Sequence, residues 1–344
     1  MKRDTKPFPG RLGSGGLITN YHCPSACRHC LYASSPRRSK KYISPETAER
    51  LGATARREGA FSLHIGGGEP LLQPEQLNET VKALRKTGVG IDYVETNCSW
   101  YRDYQQAVDI LKELRAAGAG TLLVSISPFH NETIPLAKTR GVLAASREAG
   151  IGVFPWVDDF LPDLSAFDEQ RPHSLEEYEA YFGAGYLRSI PSRYWVSLRG
   201  KALLTYRRFM EEQPLERILK TSDPCRSLRE TSHFHLDLYG NYIPGLCTGL
   251  AVDAEDLGKP LDPERYPFLA LLLSRGPEAL LETARQQYGF RPAAAYVNSC
   301  ELCQEIRSYL VLDEEIDSPD LAPAGFYREL RRARNTKRNS GVVS

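Results

Sequence analysis

Six times between residues 15 and 200 a short apolar run leads into a longer stretch. This alternation limits the chain to few folds. The runs GGLITN (15–20), FSLHIGGG (61–68), GIDYVETN (90–97), GTLLVSIS (120–127), IGVFPWV (151–157) and YWVSLRG (194–200) read as strands. Four of the stretches between them carry helix signals. In SPETAERLGATARREGA Ser44 is the N-cap, with Glu46 and Glu49 in or near the first turn. QPEQLNETVKALRKTG closes on Gly88, DYQQAVDILKELRAAG closes on Gly118, and Ser174 caps SLEEYEAYFGAG. ETIPLAKTRGVLAASREAG is mostly helical. Strand and helix alternating about every 30 residues predict βαβ units on a parallel sheet. Right-handed crossovers predict an α/β fold with a partial (β/α)6 TIM-type barrel. Chemistry in such barrels sits in the loops after the strands. The loops after the first three strands carry, in order, a cysteine cluster, a glycine turn and Cys98.

Cysteine is the residue type that carries function here. The chain has 344 residues, 41% of them hydrophobic, with Lys+Arg 44 balanced against Asp+Glu 43. That balance calls for neither nucleic acid nor an anionic membrane as partner. No apolar run approaches the roughly 20 residues of a membrane span, and the N-terminus lacks the apolar core of a signal peptide. A cytoplasmic location follows, where thiols stay reduced and eight cysteines read as metal ligands or reactive thiols. They fall as Cys23, Cys27 and Cys30, then Cys98 alone, then Cys225, Cys247, Cys300 and Cys303. Three thiolates leave a zinc site one ligand short unless His22 or His29 completes it. They suit an iron–sulfur cube with one iron open to an outside ligand. GGGEP at 66–70 supplies glycines that let a ligand approach the backbone, and Glu69, a carboxylate acceptor for an ammonium group.

Cys23, Cys27 and Cys30 followed one βα unit later by Gly67, Gly68, Glu69 and Pro70 closely resemble the radical S-adenosylmethionine (radical SAM) superfamily. The resemblance covers about the first 220 residues in motif order. It implies that the three cysteines bind a [4Fe–4S] cluster and that the glycine-rich motif binds the methionine amino group of SAM. His29 stands where the family usually has an aromatic residue. Ser125 is implied at the SAM ribose, Thr96 and Asn97 as further lining residues, and Arg199, in SLRGKA, as a partner of the SAM carboxylate. The implied chemistry is reductive cleavage of SAM, fed by a flavodoxin- or ferredoxin-type reductant, to a 5′-deoxyadenosyl radical that takes a hydrogen atom from a substrate C–H.

Beyond residue 220 the βα alternation stops. SHFHLDLYGNYIPGLC reads as a hairpin around Gly240-Asn241, flanked by Cys225 and Cys247, and NSCELCQEIRSYL places Cys300 and Cys303 at a helix start. This arrangement resembles the twitch domain, a shortened relative of the SPASM domain, which implies an auxiliary [4Fe–4S] cluster; a structural zinc ribbon is the plainer alternative. The expected organisation is a barrel over 1–220, an auxiliary-cluster domain over 221–320, and a C-terminal helix and basic tail over 321–344. Net oxidation through the auxiliary cluster is one expected outcome. A second is epimerisation, with Cys98 returning the hydrogen atom. A third is a non-catalytic iron–sulfur redox protein. Cys98 as a small buried hydrophobe is the competing view of that residue. His130, Glu132, Asp158 and Asp159 sit on the expected reactive rim; His233 and His235 read as structural, and the basic run from Tyr327 as a solvated terminus. No leader-peptide-binding domain is evident before residue 15, which favours a small-molecule over a peptide substrate.

Overall fold

The computed structural model describes residues 6–339 apart from Val157 and Tyr194. Five strands follow the predicted βα order: β1 (Ser14–Ile18), β2 (Ser62–Gly66), β3 (Gly90–Thr96), β4 (Thr121–Ser125) and β5 (Gly152–Trp156). They pair in parallel, each with its neighbour in sequence. Helices α1 (Pro45–Arg57), α2 (Pro74–Lys86), α3 (Tyr104–Ala117) and α4 (Leu136–Ala149) cross between them. Local chemistry sets their ends. Ser44 accepts from the Thr47 amide at the start of α1, and Asp103 accepts from the Gln106 amide at the start of α3. Gly150, in the left-handed conformation, ends α4.

The predicted sixth strand at 194–200 is absent among its described residues. Trp195 and Leu198 stay exposed, so an extended segment there has no apolar cover to bind against. The segment turns instead into helix α5 (Gly200–Tyr206). The sheet grows from its other edge. Strand β6 (His233–Asp237) pairs in parallel with β1, and β7 (Asn241–Ile243) and β8 (Val252–Asp253) follow antiparallel. The order is β5-β4-β3-β2-β1-β6-β7-β8. The predicted hairpin therefore forms, but as part of the same sheet, and one hydrophobic core runs from Phe8 through Leu236 to Ile306.

Two later helices complete the site. Cys300 and Cys303 lie in the first turns of α6 (Ser299–Leu312), capped by Asn298. Helix α7 (Ala324–Asn339) takes up the basic run that the sequence suggested would be solvated. Phe326, Tyr327 and Leu330 are buried, packing with Ala33 of the first cysteine loop. Buried Glu329 accepts from Ser35 at 2.8 Å, and Arg334 pairs with Glu305 at 3.1 Å. An apolar stripe along the helix gives it a docking face that its charge conceals in sequence. Among the described residues no helix is long and apolar enough to cross a membrane.

Candidate active site

The ends of β1, β2, β3 and β4 open onto one cavity of about 260 Å³. Cys23, Cys27 and Cys30 line it, together with Gly67, Gly68, Glu69, Pro70, Thr96, Asn97 and Ser125. These predicted site residues come from the C-terminal ends of four different strands and the loops that follow them.

The glycines are fixed by close packing. A Cβ on Gly68 would lie 1.9 Å from the His22 carbonyl oxygen, and Gly67 has a φ of +141° that disfavours side chains. The motif therefore lies directly against the cysteine loop. Glu69 faces inward, fully buried. Its carboxylate accepts from the Asn97 amide at 2.7 Å, the Thr96 hydroxyl at 3.0 Å and the Leu71 amide at 3.2 Å. Burial raises its pKa to about 7 against the pull of these three donors. Thr96 also accepts from the Cys98 amide at 3.0 Å and from Trp100 Nε1 at 2.9 Å. Glu69 thus braces the end of β3 as well as bordering the cavity.

The thiols have polar support. Asn97 Nδ2 donates to Cys23 Sγ at 3.2 Å, and the Ser34 amide donates to Cys30 Sγ at 3.4 Å. Lys201 on α5 donates to the Ala26 carbonyl, and Thr205 donates to the Arg28 carbonyl at 2.7 Å. Helix α5 thereby clamps the outside of the loop. His29 stacks on Phe129 with ring centres 4.5 Å apart. Burial and the neighbouring thiols push Cys23 well up and Cys27 to about 12, so these two ionise here only with a positive charge beside them.

The trio fits an iron–sulfur cluster better than one zinc. Zinc–sulfur bonds of about 2.3 Å put tetrahedral sulfurs about 3.8 Å apart. Among the described residues, His64, His233 and His235 are the group of three ligand residues whose atoms all fall within 4.8 Å; no cysteine trio does. Cys23, Cys27 and Cys30 nevertheless line one cavity, as the ligands of a multi-iron cluster would.

Cys225, Cys247, Cys300 and Cys303 line a second, smaller cavity of about 50 Å³. Buried Arg307 reaches the Thr248 carbonyl at 3.2 Å, the Tyr327 hydroxyl at 3.3 Å and Cys247 Sγ at 3.8 Å. A guanidinium buried among four thiols fits a centre with net negative charge. Arg199 also belongs here. It lines this cavity and donates to the Gly245 carbonyl, so it does not reach the first cavity, where the resemblance implied it. Its neighbours Trp195, Val196 and Ser197 do line the first cavity.

Cys98 is fully buried and is not part of either cavity wall. It sits in a turn with φ of +66°, behind Thr96, in the apolar core. Glu132 is held by Arg28 at 2.9 Å, whereas His130 does border the cavity. His233 and His235, read from sequence as structural, also line the first cavity, with Glu95, Tyr32 and Tyr93. The signal for them was present: His-x-His on a strand directs both imidazoles to one face. Lys201 had no such signal, since its partner Ala26 lies 175 positions away.

Residues 17–152 match the family model of the radical SAM superfamily. Among curated proteins, the "Putative peptide biosynthesis protein YydG" of Bacillus subtilis (strain 168) is 21% identical over 155 residues. That alignment covers 45% of this chain and 47% of YydG, so the chain matches about half the length of this relative. Among solved structures, BtrN in complex with AdoMet and 2-DOIA aligns with 78% of this chain and 89% of its own, at 14% identity and a TM-score of 0.41. Histidine-tagged anSMEcpe with bound AdoMet aligns with 94% of this chain and 98% of its own, at 14% identity and a TM-score of 0.40.

Proposed function

We propose that this chain, which carries a radical SAM domain over residues 17–152, is an enzyme that modifies a peptide at an unactivated C–H and oxidises it. The observation that carries the reading is the shared cavity of Cys23, Cys27, Cys30 and the Gly67–Pro70 turn. Cys23, Cys27 and Cys30 would hold a [4Fe–4S] cluster. Gly67, Gly68 and Pro70 would border the methionine end of SAM, with Ser125 near its ribose. When bound, cluster and SAM supply a 5′-deoxyadenosyl radical that abstracts a hydrogen atom from the substrate.

The chain's own residues position and shield. Asn97 donates to Cys23 Sγ and the Ser34 amide to Cys30 Sγ, which holds both sulfurs in position. Glu69 holds the rim of β3 in place through its three donors. Apolar and aromatic neighbours such as Tyr32 and Leu123 limit water in the cavity. Cys225, Cys247, Cys300 and Cys303 would hold an auxiliary [4Fe–4S] cluster as electron acceptor. Oxidation is favoured over epimerisation because Cys98 is buried away from the cavity. A peptide is favoured over a small molecule by the partial match to YydG.

The test is anaerobic reconstitution followed by dithionite and SAM. The expected result is 5′-deoxyadenosine from wild type and none from Cys27→Ala. Equal yields from both would sink the reading. In D2O the product should carry no deuterium at the reacting carbon, and Cys98→Ala should leave product formation intact.

A further inference from the structure

Strand β1 begins Ser-Gly-Gly, and its second glycine is central to an arrangement that the radical chemistry does not use. Gly16 is in register with His64 on β2 and with His235 on β6. The three positions form one row across the sheet, with the glycine in the middle. Because Gly16 has no side chain, the two imidazoles meet above it, His64 Nε2 to His235 Nε2 at 3.1 Å. A Cβ on Gly16 would lie 2.2 Å from His64 Nε2. His233, two residues before His235 and on the same strand face, brings a third ring. Ligand atoms of all three lie within 4.8 Å of one another. Glu95 on β3 adds a carboxylate oxygen 3.7 Å from His64 Nε2.

One proton shared between the Nε2 atoms accounts for their approach; His235 Nδ1 has no hydrogen-bond partner, in a residue only 5% exposed. The 3.1 Å separation is also what two imidazoles show when bound at about 2.1 Å to one metal ion, near a right angle to each other. Imidazole with carboxylate is a donor set for zinc, iron and their neighbours rather than for magnesium or calcium.

We propose that His64, His233 and His235, with Glu95, form a mononuclear site for a divalent transition-metal ion on the inner face of the sheet, separate from both cysteine sets. His64 and His235 are placed for it. The His233 ring lies parallel to that of His64, 4° apart, and keeps a ligand atom within the same 4.8 Å. His233, His235 and Glu95 all border the large cavity, so the ion has a route in and a face toward whatever occupies the cavity. Zinc retention here and 5′-deoxyadenosine formation are separate measurements, so either reading can fail without the other.

The test uses the full chain with its iron–sulfur centres reconstituted. The protein is equilibrated anaerobically with a small excess of Zn²⁺, desalted, and analysed for zinc and iron. The expected result is one retained zinc per chain, with only nitrogen and oxygen neighbours in zinc X-ray absorption. Loss of an outer-shell partner alone costs about 10–100-fold in affinity; His64→Gln and His235→Gln, each removing a direct ligand, are expected to cost at least about 100-fold at unchanged iron content. Both variants are checked by melting temperature, and either one suffices if the other fails to fold. Wild type retaining no zinc, sulfur in the zinc shell, or a folded variant retaining zinc as wild type does would each overturn the proposal.

Discussion

Thr96 bears more of the site than its size suggests. One hydroxyl donates to Glu69 and accepts from the Cys98 amide and from Trp100. Thr96→Val keeps the shape and leaves three buried partners short. At about 1–3 kcal/mol per unsatisfied group, partly relieved by relaxation, a loss of about 2–4 kcal/mol is expected, against less than about 1 kcal/mol for Thr96→Ser. Thermal melts of the two variants check this. Gly68 makes a different demand. Because a Cβ there meets a backbone carbonyl at 1.9 Å, Gly68→Ala must displace the cysteine loop. The expected outcome is a variant that takes up iron poorly at the first centre, measured as iron per chain after reconstitution.

Among the elements, the helix over Leu175–Phe182 carries a full capping box: Ser174 accepts from the Glu177 amide, and Glu177 accepts from the Ser174 amide. Ser174→Ala is expected to cost about 1 kcal/mol. Hydrogen bonds from the Ser174 amide and Arg171 draw the Glu177 pKa down from the ordinary 4.5 to about 2. A depressed carboxyl stabilises the folded state fully above its unfolded value and progressively less as pH falls. The gap between wild type and Glu177→Gln should therefore be widest above pH 4.5 and close toward pH 2, which melts across that window would reveal. Such local features are what the sequence makes readable. Strands β1 to β5, the caps Ser44 and Ser174 and the stop at Gly118 each depend on residues a few positions apart. The segment at 194–200 had acceptable local composition but did not join the sheet, whose order leaves β5 at one edge while β6 adds on the opposite side, next to β1. The histidine row was hidden for the same reason, since His64 and His235 are 171 positions apart.

At the scale of the whole molecule, the two cysteine centres are joined by shared structure. Helix α5 follows Arg199 at one centre and carries Lys201 to the loop of the other, while α7 touches both through Glu329 and Tyr327. Cys300→Ser with Cys303→Ser should remove about half of the iron while leaving 5′-deoxyadenosine formation, so that SAM is consumed without matching product. Iron analysis with both yields measured in one reaction checks this. Shortening the chain after Pro323 would remove buried Phe326, Tyr327 and Leu330. At about 1.5–3 kcal/mol per side chain of this kind, the loss of roughly 5–9 kcal/mol is comparable to the whole stability of a typical domain, about 5–15 kcal/mol. The shortened protein is expected to be insoluble, as judged by soluble yield.

The Ser35–Glu329 hydrogen bond joins residues 294 positions apart. The loop that carries Cys23, Cys27 and Cys30 is therefore translated some 294 residues ahead of the helix that packs on it. In that interval the three cysteines have been made while Phe326, Tyr327 and Glu329, which close over their loop, have not.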